Sequence, residues 1–224
     1  MPEVFSPQIM TLLLNSLGQT FYMVSIAGLI GTAIGLPLGV FLGTSRQGEL
    51  FAAPWLNNVI GLIVNAARST PFIILVVAIV PLTRLIAGTS IGTNAAIVPL
   101  TIAAAPFIAR VIEAAIRGVD QGLIEAARAM GATPVQIVRK VLLPEALPAI
   151  TLALTLTLVS LIGYSAMVGA VGGGGLGDLG IRFGYQRFMP DVMLVVVLVL
   201  IILVQGVQSL GDYLARRFDK RARH

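Results

Sequence analysis

Side chains that can do chemistry are concentrated in one short segment, residues 125–148, which reads EAARAMGATPVQIVRKVLLPEALP. Its five charged residues are Glu125, Arg128, Arg139, Lys140 and Glu145. Such groups suit ion pairs and hydrogen bonds with a partner. Pro144 and Pro148 are expected to end the segment, because proline interrupts helical hydrogen bonding. The segment is either an ordinary polar loop or a docking element for another protein. The prolines that are expected to end it favour the docking element.

Catalytic chemistry finds little support elsewhere in the sequence. There is no cysteine, and the one histidine is His224, which argues against thiol chemistry, a metal site or a histidine-based triad. The stretch GGGGLGDLG (172–180) lacks the Lys and Ser/Thr of a phosphate-binding loop, and we interpret it as a mobile outer connection or a contact for a binding protein. We therefore expect no catalytic, cofactor-binding or metal-binding residues in this chain.

The composition is that of a membrane protein that crosses the bilayer several times. Hydrophobic residues make up 57% of the 224 residues, charged residues only 11%, and the mean hydropathy is +0.95. An ordinary soluble domain has about 25% charged residues. The net charge of +5 does not indicate nucleic-acid binding, because the basic residues flank apolar runs as topology signals do.

Five apolar segments are long enough to cross a bilayer, since about 20 residues at about 1.5 Å each span its hydrocarbon core. They are residues 18–43, 59–82, 93–114, 149–171 and 192–211. We predict a single all-α transmembrane domain over residues 1–224, with a cytoplasmic loop at residues 118–148. The residues before Gly18 are expected to form an amphipathic lead-in at the membrane interface.

The distribution of basic residues predicts that the N-terminus is outside and the C-terminus is cytoplasmic, because Lys and Arg are enriched in cytoplasmic loops. This orientation places eleven basic residues inside, namely Arg46, Arg110, Arg117, Arg128, Arg139, Lys140, Arg216, Arg217, Lys220, Arg221 and Arg223. Only Arg84, Arg182 and Arg187 are then outside.

Small residues form one predicted helix face in the first span. The glycines Gly28, Gly31, Gly35 and Gly39 recur at spacings of three and four. Such a face lets another helix approach closely, so we interpret it as packing rather than as a ligand site. The prolines expected to bend or break their helices are Pro37, Pro71 and Pro106.

The charged segment carries signals for two short helices. Asp120 is predicted to cap the first helix, QGLIEAARAM, and Gly131 to take the left-handed conformation that ends it. Thr133, Pro134 and Gln136 form a second start signal, a capping box with proline at the first helical position. Two helices with fixed ends make a compact knob rather than a floppy loop.

The same residues resemble a known motif. EAARAMG, then nine residues, then VLLP is similar to the EAA loop of ABC-importer permeases, with Val141 in place of the usual isoleucine. The resemblance implies the type I ABC-importer permease fold. It also implies that the first short helix inserts into a cleft on a cytoplasmic ATPase subunit. The coupling residues that it assigns are Glu125, Ala126, Ala127 and Gly131.

Three further stretches extend the resemblance to the permeases of bacterial methionine ABC importers. They are ARSTPFIILVV (67–77), GTSIGTNAAIVPLTIAAAPFIAR (88–110) and GYSAMVGAVGGGGLGDLG (163–180). The resemblance implies an assembly in the bacterial inner membrane of two permeases, two ATPases and one extracytoplasmic methionine-binding protein. It implies that ATP and Mg²⁺ bind to the ATPases and not to this chain. It further implies import of methionine, both L- and D-, by alternating access.

A candidate solute pathway lies in the fourth span. Thr157, Ser160, Tyr164 and Met167 are spaced by three, four and three, so they share one helical stripe. Hydroxyls that end in a thioether could line a path and gate for a small zwitterion, and the gate region of the resembling family includes this GYSAM stretch. Alternatively, the hydroxyls bond carbonyls of their own helix and the methionine fills a packing gap.

Two intramembrane charges need partners. Arg68 inside the second span is costly unless it is paired, and Glu113 in the third span is one candidate partner. Backbone carbonyls freed by Pro71 are a second candidate partner. With either partner, Arg68 is a structural anchor. Direct contact with the solute is the alternative.

Three other functions remain open from the sequence. The chain could be an ABC permease for another amino acid or small metabolite, an ion-coupled secondary transporter, or a membrane scaffold. A secondary transporter is disfavoured because no inverted repeat and no mid-span carboxylate is evident. A scaffold would not need an EAA-like segment.

Overall fold

A computed structural model describes residues 6–219, and within them regular structure is helical. The α-helices are α1 (Pro7–Thr44), α2 (Pro54–Ser69), α3 (Phe72–Ala78), α4 (Val80–Ala87), α5 (Thr93–Arg117), α6 (Gln121–Ala129), α7 (Pro134–Ile137), α8 (Leu143–Ala170), α9 (Gly175–Leu179) and α10 (Pro190–Phe218). Two π-helical segments, Val138–Leu142 and Gly180–Tyr185, continue α7 and α9. The all-α prediction is confirmed.

Four of the helical stretches are long and apolar enough to cross a membrane. They are α1, α5, the continuous run Pro134–Ala170 and α10. A fifth crossing results if α2 and α3, which are bent by 100° at Thr70 and Pro71, form one broken span. Where the sequence predicts one interrupted span at residues 59–82, the chain makes an elbow. Proline at position 71 has no N–H to continue α2 and favours extended backbone at Thr70.

The first helix is much longer than the predicted span. α1 has 38 residues and is therefore about 57 Å long, against about 30 Å for the hydrocarbon core. Its first turns, with Ile9, Leu13 and Leu17, pack against the apolar cluster formed by α9 and α10. The separate interfacial lead-in predicted before Gly18 is wrong, because these residues continue α1 and one of their faces packs against α9 and α10.

Pro144 and Pro148 do not end the second helix of the charged segment, and that prediction is wrong. The helix runs without a break from Pro134 to Ala170. A π-helical turn precedes Pro144, in which the Leu143 N–H donates to the carbonyl of Val138, five residues back. This bulge shifts the bonding register just before the proline ring, and Pro144 then occupies the first turn of α8.

The most extensive helix contact in the bundle joins α1 to α5, and the predicted glycine face lies in it. A Cβ on Gly35 would lie 2.7 Å from the carbonyl oxygen of Ala105, and one on Gly39 would lie 2.6 Å from that of Ala109. Each step of four along α1 matches a step of four along α5, so the two helices run parallel. The interpretation of these glycines as packing residues is confirmed.

Parallel α1 and α5 require that α2–α4 bring the chain back across the bundle. At one end, the Asn57 side chain donates to the Leu42 carbonyl and to the Ser45 hydroxyl. At the other end, the Leu176 N–H donates to the Thr20 hydroxyl. The first end is therefore shared by the end of α1 and the start of α2.

The same end also holds the charged segment and the end of α10. Gly118 and Val119, which lead into α6, border a cavity together with Phe218 and Asp219. Most of the predicted cytoplasmic basic residues thus lie at one end of the bundle. Lys220, Arg221, Arg223 and His224 lie outside the described residues.

The glycine contact generates a stability prediction. Replacing Gly39 by valine forces α1 away from α5, and overpacking of this kind costs about 1–3 kcal/mol. We expect a lower thermal unfolding temperature for the detergent-solubilised protein, measured by the loss of the monodisperse peak after heating. Gly206→Val is the matched control, because a Cβ there meets nothing within 4 Å. Equal unfolding temperatures for the two variants would contradict the assignment.

Candidate coupling surface, charge cluster and solute cavity

The first helix of the charged segment has the ends that the sequence predicts. The Gly122 N–H donates to Oδ1 of Asp120 at 2.7 Å, which caps α6. At the other end, the Met130 N–H donates to the carbonyl of Ala126 at 3.1 Å, and Gly131 has φ +80°. Both predictions are confirmed, and a left-handed residue here turns the chain sharply after α6.

The second helix begins at the predicted capping box. The Gln136 N–H donates to Oγ1 of Thr133 at 3.4 Å, and the Thr133 N–H donates to Oε1 of Gln136 at 2.9 Å. Pro134 occupies the first turn, where an N–H is not needed. The segment is therefore a capped helical pair rather than an open loop, with α7 forming the capped start of the continuous helix Pro134–Ala170.

One face of α6 is buried against its own bundle. Ile124 and Ala127, spaced by three, belong to the main apolar core. Glu125 and Ala126 point away from it and are exposed, as is Gly131. Of the four coupling residues implied by the EAA resemblance, Ala127 thus packs inside this chain and the other three remain available to a partner.

Met130 adds an apolar side chain to the available surface, and the sequence analysis did not single it out. It is 82% exposed at the end of α6, next to Gly131. Its type gave no useful signal, because most methionines in such a chain are buried or face lipid. Only the position of the buried face, set by Ile124 and Ala127, shows that Met130 points outward.

A buried cluster of charges lies at the same end of the bundle. The Glu113 side chain is only 6% exposed and accepts from Arg110 at 2.5 Å and from Arg117 at 2.7 Å. Arg46, in the connection after α1, approaches the same carboxylate at 3.6 Å. Three guanidinium groups surround one carboxylate, so the cluster holds an excess of positive charge.

The arginines of this cluster also bind the backbone of two other helices. Arg110 Nη2 donates to the carbonyl of Gly61 in α2 at 2.7 Å. Arg117 Nη2 donates to the carbonyl of Leu42 in α1 at 3.0 Å, and that carbonyl also accepts from Asn57. The cluster therefore ties α5 to α1 and α2.

The predicted pairing of Arg68 with Glu113 is wrong. Glu113 is already held by three other arginines, two of them one turn away on its own helix. The spacing of three and four from Glu113 to Arg110 and Arg117 was visible in the sequence and is the local signal for these pairs. Glu113 therefore pairs with arginines one turn away on its own helix rather than with Arg68 on α2.

Arg68 instead lies at the elbow between α2 and α3. There it lines a cavity of about 200 Å³ with Phe72, Phe107 and Tyr164 among its walls. The guanidinium carbon is 5.6 Å from the centre of the Phe107 ring. The rings of Phe72 and Tyr164 stack with centroids 4.4 Å apart. This cavity thus combines one cation with three aromatic rings.

The four residues of the predicted stripe on α8 differ in their surroundings, and their role in a solute pathway stays a prediction. Thr157 is buried beside α1 and donates to the carbonyl of Ala153 at 2.9 Å, and Ser160 donates to Leu156 at 2.9 Å. Tyr164 reaches the cavity at the elbow, whereas Met167 is 47% exposed on the surface of the chain. Both hydroxyls are satisfied by their own helix, as in the alternative interpretation.

Polar side chains that the sequence analysis missed are exposed on α2. Asn58, Asn65 and Ser69 are spaced by seven and four and so share one face. Polar groups on a membrane-crossing helix generally face protein or water rather than lipid. The sequence signal for this face is the recurrence of asparagine within an apolar span. A count of charged residues does not detect it, because asparagine carries no charge.

The glycine-rich stretch is a packed connection and does not form an open loop. It contains α9, whose first N–H groups are held by α1: Gly175 donates to Gln19 at 2.8 Å and Leu176 to Thr20 at 2.9 Å. A Cβ on Gly177 would lie 2.4 Å from the Ala166 carbonyl oxygen, so glycine is required by close packing. Across residues 6–219, no group of three or more His, Cys, Asp or Glu side chains could hold a metal ion.

The chain matches a family of transport proteins over most of its length. Residues 35–224 match the family described as the binding-protein-dependent transport system inner membrane component. The probable D-methionine transport system permease protein MetI of Vibrio cholerae is 58% identical over 210 residues, covering 94% of this chain and 93% of the relative. The D-methionine transport system permease protein MetI of Escherichia coli K12 is 56% identical over 164 residues, covering 73% of this chain and 76% of the relative.

The fold is also similar to that of a solved transporter. A chain in a structure described as an inward-facing conformation of the MetNI methionine ABC transporter superposes with a TM-score of 0.94 at 52% sequence identity. The match covers 96% of this chain and 100% of that chain. The long α1, the elbow and the capped helical pair thus lie within a matching fold.

The charge cluster generates a second prediction. Glu113→Gln keeps the size of the side chain but leaves Arg110 and Arg117 without a counter-charge, and breaking a buried ion pair costs about 3–5 kcal/mol. We expect a marked fall in thermal unfolding temperature. Asp178→Asn is the control, because it removes the outer pair with Arg182, whose guanidinium is exposed, at about 0–1 kcal/mol. If Glu113→Gln is no more damaging than Asp178→Asn, the cluster does not hold the helices together.

Proposed function

Because this chain belongs to the family of binding-protein-dependent transport system inner membrane components, we propose that it is the permease subunit of an ATP-driven methionine importer. The proposed solutes are L- and D-methionine. The similarity to D-methionine permeases, with nearly full coverage of the Vibrio cholerae relative, supports this substrate. The chain is a multi-pass protein of the inner membrane.

The capped helical pair is the observation that carries the proposal. α6 and α7 project from the end of the bundle with both helix starts and the turn between them fixed by side chains or glycine. Their exposed surface includes Glu125, Ala126 and Met130. A rigid helical pair can transmit the movement of a partner to the bundle, whereas a flexible loop would deform instead. We assign this surface to contact with a cytoplasmic ATPase, of which the proposed assembly holds two copies.

In this proposal the ATPase supplies the chemistry. ATP and Mg²⁺ bind to that separate chain, and the permease contributes no catalytic residue and no cofactor site of its own. Its role is to convert the movement of the ATPase into opening of the pathway to one side of the membrane and then to the other. Alternating access of this kind needs rigid elements that move as bodies.

The proposed orientation has the N-terminus outside and the C-terminus in the cytoplasm. It is supported by the basic residues that share one end of the bundle with the helical pair, including Arg128, Arg139 and Lys140. The opposite end, where α9 packs on α1, would then receive an extracytoplasmic methionine-binding protein.

A second copy of the chain completes the proposed pathway. The exposed polar face of α2, formed by Asn58, Asn65 and Ser69, cannot face lipid without cost. Two permeases that present these faces to each other would enclose a polar route between them. The elbow cavity with Tyr164 opens beside the same helix.

The proposal predicts ATP-dependent uptake of labelled methionine into proteoliposomes that contain this permease, its ATPase and its binding protein. Glu125→Ala is expected to lower uptake by about tenfold, as loss of a central contact does, without loss of folded protein. Gln47→Ala is the control, because it removes another exposed polar side chain near this end of the bundle. Unlabelled L- and D-methionine and other amino acids serve as competitors.

Each outcome of this experiment has a defined meaning. Uptake driven by an ion gradient without ATP would replace the proposal by a secondary transporter. ATPase activity that responds to the permease while methionine is not imported would keep the transporter class and reject the solute. Full uptake by the Glu125→Ala variant would reject the assignment of the coupling surface.

The turn after α6 allows a second comparison. Gly131 and Gly48 both have left-handed backbones, with φ +80° and +84°, and neither has a neighbour within 4 Å of a Cβ position. Valine at either position therefore costs about 1–2 kcal/mol of backbone strain. We expect Gly131→Val to lower ATP-driven uptake strongly and Gly48→Val to leave it near wild type. Equal losses would mean that strain alone, and not the coupling segment, is responsible.

A further inference from the structure

Arg68 lies deep within the membrane-crossing part of the chain. α2 starts at the end of the bundle where Asn57 binds Leu42 and Ser45. Arg68 follows Asn57 by eleven residues, a rise of about 16 Å along the helix. That distance is about half of the roughly 30 Å hydrocarbon core. Arg68 is therefore well away from the end of the bundle, within the apolar stretch that α2 and α3 contribute.

This guanidinium has no counter-charge in the part of the chain that the structure describes. The ion pairs within residues 6–219 involve Arg46, Arg110, Arg117 and Arg182, and the only recorded contact of the Arg68 head group is the Phe107 ring. A cation–π contact leaves its N–H donors without acceptors. A charge at this depth calls for an anion or for water.

The carbonyls at the end of α2 do not supply the missing acceptors. The Ser69 hydroxyl donates to the carbonyl of Asn65 at 2.9 Å, and the Thr70 hydroxyl donates to that of Ala66 at 3.4 Å. Pro71 frees the carbonyl of Ala67, four residues earlier, because proline has no N–H to donate to it. Within residues 6–219 the guanidinium of Arg68 makes no hydrogen bond to this or any other carbonyl, so the predicted anchoring of Arg68 by carbonyls freed at Pro71 is wrong.

The cavity around Arg68 matches the chemistry of one amino acid. Its volume of about 200 Å³ equals that of roughly seven liquid water molecules. The guanidinium supplies paired donors with the geometry of a carboxylate. Phe72, Phe107 and Tyr164 supply aromatic faces and edges, against which a thioether packs favourably.

We propose that Arg68 binds the carboxylate of the amino-acid solute during its passage, with the side chain of the solute held against the aromatic wall of the elbow cavity. This inference rests on the proposed function and adds to it a contact with the solute inside the membrane. Arg68 is then a specificity-determining residue of the permease itself, in addition to the selection made by a binding protein.

The absence of cysteine from this chain makes a direct test possible. Arg68→Cys creates a single thiol at the cavity, and Arg84→Cys, on α4 of the same crossing, is the matched control. Both are assembled with the ATPase and binding protein in proteoliposomes. Each is treated with a cationic aminoethyl, a neutral methyl or an anionic sulfonatoethyl methanethiosulfonate. The complex with the unmodified permease is treated in the same way.

Arg68→Cys is expected to lower methionine uptake by about tenfold, the loss of one charge-assisted contact, while ATPase stimulation by the binding protein stays near wild type. The cationic reagent should restore much of the uptake, and the neutral and anionic reagents should not. Methionine should slow the modification of Cys at position 68 during turnover but not at position 84. Arg84→Cys should transport normally before and after treatment.

Three results would overturn the inference. They are unchanged uptake by Arg68→Cys, rescue by the neutral reagent to the same extent as by the cationic one, and equal modification rates with and without methionine. A loss of ATPase stimulation in proportion to uptake would also overturn it, because Arg68 would then act through the structure. Failure of the unmodified permease complex to import methionine would instead reject the proposed function, so the two failures can be told apart.

Discussion

The contact between α1 and α5 is the constraint on which the rest of the structure depends. Because Gly31, Gly35, Gly39 and Gly43 carry no side chain, the backbone of α1 contacts side chains and carbonyl oxygens of α5 along four turns. In a membrane, where lipid offers no hydrophobic penalty to drive helices together, such contact area is a main source of association. The parallel direction of the two helices forces the intervening chain to return across the bundle, and the elbow of α2 and α3 is the result.

The charge cluster fixes one end of that contact. Arg117 binds the carbonyl at Leu42 and Arg110 the carbonyl at Gly61, while Glu113 holds both guanidinium groups. The residue before Arg117, Ile116, belongs to the same apolar core as Ile124 and Ala127 of α6. A continuous set of contacts therefore leads from the helical pair through the cluster to α2, the helix that carries Arg68.

Local features of the sequence were predictable and long-range pairings were not. The Asp120 cap, the left-handed Gly131 and the capping box of Thr133 and Gln136 each depend on residues within four positions of one another, so their physical chemistry is complete in the sequence. The sequence predicts that the glycine face of α1 packs against another helix, but it does not identify α5 as that helix. The partner of Glu113 was mistaken because a distant arginine was preferred to the two on the same helix. The continuous helix through Pro144 was missed because a π-turn has no clear sequence signature.

Hydropathy could not show which helix faces the pathway, because every crossing is apolar and every one has some hydroxyl or small residue. The useful distinction is whether a polar group can be satisfied by its own helix. On α8, Thr157 and Ser160 bond carbonyls one turn back and so need no water. On α2, asparagine amides have more donors and acceptors than one turn can satisfy, and the guanidinium of Arg68 makes no hydrogen bond to a carbonyl of the described residues. The polar groups that need a partner outside their own helix therefore lie on α2. The elbow at Pro71 places Arg68 beside an aromatic cavity rather than against lipid.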